Sequence, residues 1–191
     1  MLAAPALSLP EWIVLTLVDE APMHGFAIAA LTAEHNDVGR AWHVPRPIVY
    51  RNLDRLTELG LVRREATEAG RRGPQRSILT TTPTGAAAVQ DWLRRPAAHV
   101  RDLRSELLVK LALLLRRHLA PHELIAAQRT ALLPVRAALG QQRAADDGFG
   151  LILTSWRVEN VNAALRFLDS LEDSLEDSPD ASATAGSRPE A

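Results

Sequence analysis

The chain reads as a mainly α protein with a small β-hairpin wing: an N-terminal winged helix-turn-helix over residues 1–96, a helical dimerisation domain over 97–175 and a disordered acidic tail over 176–191. Three observations predict it. Apolar residues make up 47% of the chain and recur mostly at helical spacing. Two short β-prone runs within residues 61–81 bracket a turn rich in Gly, Arg and Pro. Finally, nine arginines (40, 46, 51, 55, 63, 64, 71, 72, 76) stand against four acids between positions 40 and 76, although the net charge of the whole chain is only −1. A cationic segment on a neutral chain is a local electrostatic feature, and such features mark partners rather than folds.

Each element has its own signal. Ser8 with Glu11 three positions on, and Pro10 in the first turn, predicts a capped helix from Leu9 to about Asp19 that turns Trp12, Ile13, Thr16 and Leu17 inward. Ala21 and Pro22 end it. A second helix follows over about His24–His35, burying Ile28 and Leu31 with Phe26 at its flank, and Asn36, Asp37 and Gly39 supply a turn. Pro45 and Pro47 open a third helix to Leu59, closed by Gly60. Residues 61–64 and 76–81 form the hairpin, and Thr82 with Pro83 starts a helix that runs to Arg94 and buries Val89, Trp92 and Leu93. Helix, helix, helix, hairpin, helix is the order of a winged helix-turn-helix.

Beyond Pro96 the pattern is wholly helical. Leu103–Arg117 carries Leu107, Leu108, Leu111, Leu114 and Leu115, and a helix opened by Pro121 carries Leu124, Gln128, Leu132, Val135 and Leu139, with a kink expected at Pro134. The last helix, after Gly148, has two apolar faces. Ile152, Trp156, Ala163, Phe167 and Leu171 share one; Leu151, Val158, Leu165 and Leu168 share the other. One partner cannot cover both, so Leu151, Ile152, Trp156, Val158, Leu165, Phe167 and Leu168 are the expected dimer interface.

Several function classes find no residues. There is no cysteine, hence no disulfide framework and no thiolate chemistry, and no nucleophile elbow, phosphate loop or zinc-protease motif occurs. His118 and His122 are four apart, but Pro121 interrupts the helix between them, so neither a metal nor another cofactor is expected. No enzyme activity is expected. The apolar run Trp12–Val18 is too short to cross a bilayer and Met1–Pro10 lacks the basic start of a signal peptide, which predicts a cytoplasmic protein.

At 100° per residue the third helix turns Val49, Leu53 and Leu56 inward and Ile48, Arg51 and Arg55 outward, flanked by Tyr50 and Asn52. An outward arginine can pair with guanine or hold a phosphate, and Ile48 offers apolar contact to a thymine methyl group. Arg71, Arg72 and Arg76 at the hairpin tip would hold the flanking backbone. The expected contacts to double-stranded DNA are thus Arg46, Ile48, Tyr50, Arg51, Asn52, Arg55, Arg71, Arg72, Gln75 and Arg76, and neither Arg51→Ala nor Arg55→Ala is expected to lower the melting temperature. Against this stands a solvated helix face in which Arg51 and Arg55 pair with Asp54 and Glu58, and a helical adaptor that uses the winged domain to bind protein. Trp92 and Trp156 are candidates to line a pocket for a small aromatic or amphipathic effector, with core or interface packing as the commoner role.

The order of His24-Gly25-Phe26-Ala27-Ile28, Val49-Tyr50 with Leu53 and Leu56, Leu59-Gly60-Leu61-Val62, and Gly73-Pro74-Gln75-Arg76 before Thr82-Pro83-Thr84-Gly85 resembles the PadR-type transcriptional regulators over residues 9–95. Glu106-Leu107-Leu108 with Lys110-Leu111 is similar to the branch of that family with virulence-activator-like C-terminal domains. The resemblance implies a homodimer held through C-terminal helices, usually repressing, with DNA affinity modulated by a small molecule. Pro45, Pro47 and Ile48 depart from the small or hydroxylated residues such proteins commonly carry before the tyrosine, which implies a different operator.

Overall fold

The structure is a computed structural model and describes residues 6–68 and 76–176. They form two units, one of residues up to Ala97 together with Arg101–Pro121, the other of Ala98–Val100 with the chain from His122 onward.

The first unit is built around helix α1 (Leu9–Glu20). Its residues 13 to 18 are all buried, from Ile13 to Val18, so this helix is packed around its whole circumference. Glu11 holds its start: one carboxylate oxygen accepts the Ser8 N–H at 2.7 Å and the Ser8 hydroxyl at 2.8 Å. Helix α2 (Gly25–Leu31) is shorter than its apolar pattern predicts. It stops because buried Thr32 turns its hydroxyl to the Val44 carbonyl at 3.2 Å. The expected turn at Asn36–Gly39 is instead a short helix, α3 (Asp37–Ala41), with Asn36 at its N-cap position. Gly39 is needed there for closeness, since a Cβ would lie 1.9 Å from the Ala33 carbonyl oxygen.

Helix α4 (Arg46–Glu58) ends in a Schellman motif, with Leu61 N–H on the Leu56 carbonyl and Gly60 N–H on that of Thr57, Gly60 taking φ +69°. Strands β1 (Val62–Glu68) and β2 (Arg76–Thr81) pair antiparallel, Val62 opposite Thr81, with a bulge at Arg64/Ala66. Met23 adds a single antiparallel bridge to Leu79, which ties the approach to α2 to β2. Thr82 caps helix α5 (Pro83–Arg94), accepting the Gly85 N–H at 3.1 Å.

The joint expected at Pro96 is not where this unit ends. A 3-10 turn (Val100–Asp102), a π-helical turn (Leu103–Leu107) and helix α6 (Leu108–Arg116) follow, and the last two fold onto the winged elements. The cause is a set of interactions that no periodicity reveals. Lys110 is fully buried and donates to the Arg95 carbonyl at 2.7 Å and to Glu106 at 2.5 Å, with its ammonium 4.7 Å from the Trp92 ring centre. Burial lowers its pKa against the opposing pull of Glu106. Trp92 in turn stacks on Trp12, centroids 5.1 Å apart and planes within 3°. At the end of α6, Arg116 pairs with Glu20 at 2.8 Å and Arg117 with Asp19 at 2.9 Å, while Asp19 also accepts from Thr81. Of the leucines expected to be buried here, Leu107, Leu111 and Leu114 are, whereas Leu108 and Leu115 are exposed.

The second unit is a helical hairpin of α7 (His122–Ala145), with Pro134 inside it, and α8 (Gly148–Glu176). Leu124, Gln128 and Leu132 are buried on α7, while Val135 is exposed. Arg129 of α7 pairs with both Asp169 and Glu172 of α8. The expected tail lies outside the described residues apart from Glu176, which closes α8. None of the described helices is long and apolar enough to cross a membrane.

Candidate nucleic-acid interface

Pro45 and Pro47 set the first turn of α4, and Val49, Leu53 and Leu56 anchor it in the core. Arg51, Asp54 and Glu58 form the exposed crest. Arg46 and Tyr50 lie along one flank of that crest, Ile48 and Arg55 along the other, as their spacing requires.

The arginines of this region divide by partner. Arg40 lies 3.8 Å from Asp37, Arg63 3.3 Å from Glu65, and Arg64 3.5 Å from Asp54, which ties β1 to α4. Arg55 places its Nε 2.7 Å from the second carboxylate oxygen of Glu11, whose side chain is 8% exposed. Burial raises the Glu11 pKa, but the two Ser8 hydrogen bonds and Arg55 outweigh it, and the net displacement is downward. Arg51 is exposed and has no acidic partner among the described residues. Arg46 is exposed too, and its guanidinium sits 5.2 Å from the Phe26 ring centre and 5.7 Å from that of Tyr50. A guanidinium on an aromatic face keeps its charge and its in-plane donors for an anion.

Several sequence-based expectations change. Asn52 is buried at 4% exposure with its amide nitrogen unpartnered, because its position on the wheel falls on the core side of the Ile48 flank, so it does not reach a groove. Ile48 is half-buried rather than outward. Arg55 is committed to Glu11, so its removal has a structural cost that the wheel does not show, contrary to the expectation of an unchanged melting temperature. Arg71, Arg72 and Gln75 lie outside the described residues; Arg76 is placed in β2 but its side chain is not described. Trp92 is a core residue, 4% exposed and engaged by Trp12 and Lys110, whereas Trp156 of α8 is 65% exposed.

The expected dimer residues also separate. Val158, Leu165 and Leu168 are buried within the single chain, because they lie on the side of α8 that packs along α7. Leu151, Ile152, Trp156 and Phe167 are exposed. Sequence reasoning missed the aromatic seat of Arg46, although Phe26 and Tyr50 were both visible as apolar residues off the core faces.

Three packed helices, a fourth whose N-terminal half presents guanidinium groups with no carboxylate partner among the described residues, and a hairpin bridged back to the start of α2 define a winged helix-turn-helix protein. Residues 14–91 match the model of the Transcriptional regulator PadR-like family. No curated protein matches the chain. Among solved structures it is similar to Bacillus subtilis PadR in complex with operator DNA, at 19% identity and a TM-score of 0.45 over 86% of this chain and 97% of that one. It is also similar to the same protein in complex with p-coumaric acid (18%, TM-score 0.41, 89% and 100% covered) and to B. subtilis PadR without either (17%, TM-score 0.41, 92% and 99%).

Proposed function

We propose that the protein is a cytoplasmic transcription regulator that binds a specific double-stranded DNA operator as a homodimer and represses by obstructing a promoter. One observation carries the reading: of the described arginines from 40 to 64, the two left without a carboxylate are Arg46 and Arg51, and both are exposed on the first half of α4. Arg51 on the crest would enter the major groove, with Ile48 beside it. Arg46 and Tyr50 would hold the adjoining phosphates, and the arginines of the wing tip would extend the contact along the backbone. The exposed row Ile152, Trp156 and Phe167 on α8 is the surface proposed to pair two subunits. Two α4 helices related by that pairing would meet half-sites about one helical turn, ~34 Å, or a multiple of it apart.

The test is selection of genomic fragments on the purified protein, followed by a salt titration of the fragments retained. A discrete set of fragments is expected, with log affinity falling linearly against log salt at about −0.9 per phosphate held. Retention of no fragment at low salt would refute the regulator and favour the adaptor.

A further inference from the structure

Arg55 differs from the other acid-paired arginines around α4 in how its partner is built. Arg40, Arg63 and Arg64 pair with acids whose side chains are at least 46% exposed, whereas that of Glu11 is 8% exposed. Glu11 cannot turn away, because its other oxygen accepts the Ser8 N–H and the Ser8 hydroxyl. The guanidinium is therefore held at Nε by a fixed carboxylate. Its side chain is still 54% exposed, and no second acid pairs with it among the described residues. A guanidinium has five N–H donors in a planar fork, so the terminal nitrogens keep donors for a second anion.

The place of Arg55 on α4 says which anion. It lies on the Ile48 flank, across the Arg51 crest from Arg46 and roughly 14 Å further along the axis. The major groove is about 12 Å wide and a helix with its side chains about 10–12 Å across, so a helix seated there meets a phosphate wall on either flank. Arg46 faces one wall; Arg55 faces the other. We infer that Arg55 holds a phosphate of the strand opposite the one held by Arg46, and that Glu11 of α1 is the positioning residue that sets its guanidinium for that contact. The inference rests on the DNA binding proposed above. The contact at Nε orders a long side chain before DNA arrives, so less rotamer freedom is lost on binding. A count of charges alone predicts the opposite effect of Glu11, since an acid near a phosphate repels it.

That difference in sign is the test. Affinity for a duplex recovered by the selection is measured by fluorescence anisotropy against salt, for the full-length parent, Arg55→Ala, Glu11→Gln and the double variant. Circular dichroism under the same conditions checks that each is folded. Arg55→Ala is expected to weaken binding at least about tenfold, equally on the recovered duplex and on a scrambled one, and to lower the salt slope by about 0.9 per subunit. Glu11→Gln, although it removes a negative charge, is expected to weaken binding about threefold, and to have no further effect once Arg55 is alanine. The parent labelled with nitrogen-15 arginine gives a second readout that needs no stable Glu11 variant. Its Arg55 Nε–H signal, identified by its loss in Arg55→Lys, is expected to persist when duplex is added, while the terminal nitrogens slow in rotation and become separately visible. Unchanged or tighter binding by folded Glu11→Gln would overturn the positioning role, as would an Nε–H signal lost on adding duplex. An unchanged salt slope in Arg55→Ala, or terminal nitrogens that rotate freely with duplex bound, would overturn the phosphate contact. Those failures leave the parent's binding, and the regulator reading, in place. Retention of no duplex by the parent would overturn that reading and this inference together.

Discussion

Arg55→Ala should destabilise the winged unit, whereas Arg51→Ala, one turn away on the same helix, should not. The difference comes from Glu11. Its nearly buried carboxylate has one oxygen occupied by Ser8 and the other by Arg55. Removing the guanidinium leaves an ionised oxygen with little access to water. A hydrogen bond to a charged group contributes about 1.5–3 kcal/mol, and the 54% exposure of Arg55 admits water that reduces this, so about 1–2 kcal/mol is expected. Glu11→Gln should cost a similar amount, and the double variant should cost less than the two singles together by about 1 kcal/mol. Urea denaturation followed by far-ultraviolet circular dichroism reads all four proteins. Because the folded Glu11 carboxyl ionises below its ordinary range, its contribution is complete above that range. It fades as pH falls through the lowered value, so Glu11→Gln should flatten the acid limb of the stability curve. Equal urea midpoints for Arg55→Ala and the parent, or additive singles, would refute this reasoning.

Other outcomes follow from the same geometry. Arg46→Ala should reduce the salt slope of DNA binding by about 0.9, and Arg51→Ala should cost about 1–3 kcal/mol of discrimination between duplexes, each leaving the urea midpoint unchanged. Lys110→Ala should cost about 2–4 kcal/mol in the same denaturation assay, since it opens a cavity and strands the Arg95 carbonyl and Glu106. Gly39→Ala should lower stability by at least about 1–3 kcal/mol through overlap with the Ala33 carbonyl, visible as a lower melting temperature. Ile152→Glu with Trp156→Glu should shift the mass measured by sedimentation from dimer to monomer without loss of helicity, because both side chains are exposed in the single chain.

What could be read from the amino acids was local. The capped start of α1, the Gly60 stop, the Thr82 cap and the hairpin depend on neighbours within a few positions, and each stands where its signals put it. Asn36, Asp37 and Gly39 are ambiguous because the same residues that make a turn also cap and crowd a short helix. The Arg55–Glu11 pair spans more than forty positions, and the contacts of Arg116 and Arg117 with α1 span nearly a hundred. No window along the chain contains them. For the same reason the face of α8 buried on α7 could not be told from the face left open, although the presence of two apolar faces was legible.

Nearly every other part of its unit is fastened to helix α1: α4 through Glu11, α5 through Trp12, β2 through Asp19, and α6 through Asp19 and Glu20. It works as the axle of the reading head. Strain placed on α6 through Arg116 or Arg117 would bear on the same rod that holds α4, so substitutions in α1 are expected to disturb several elements at once.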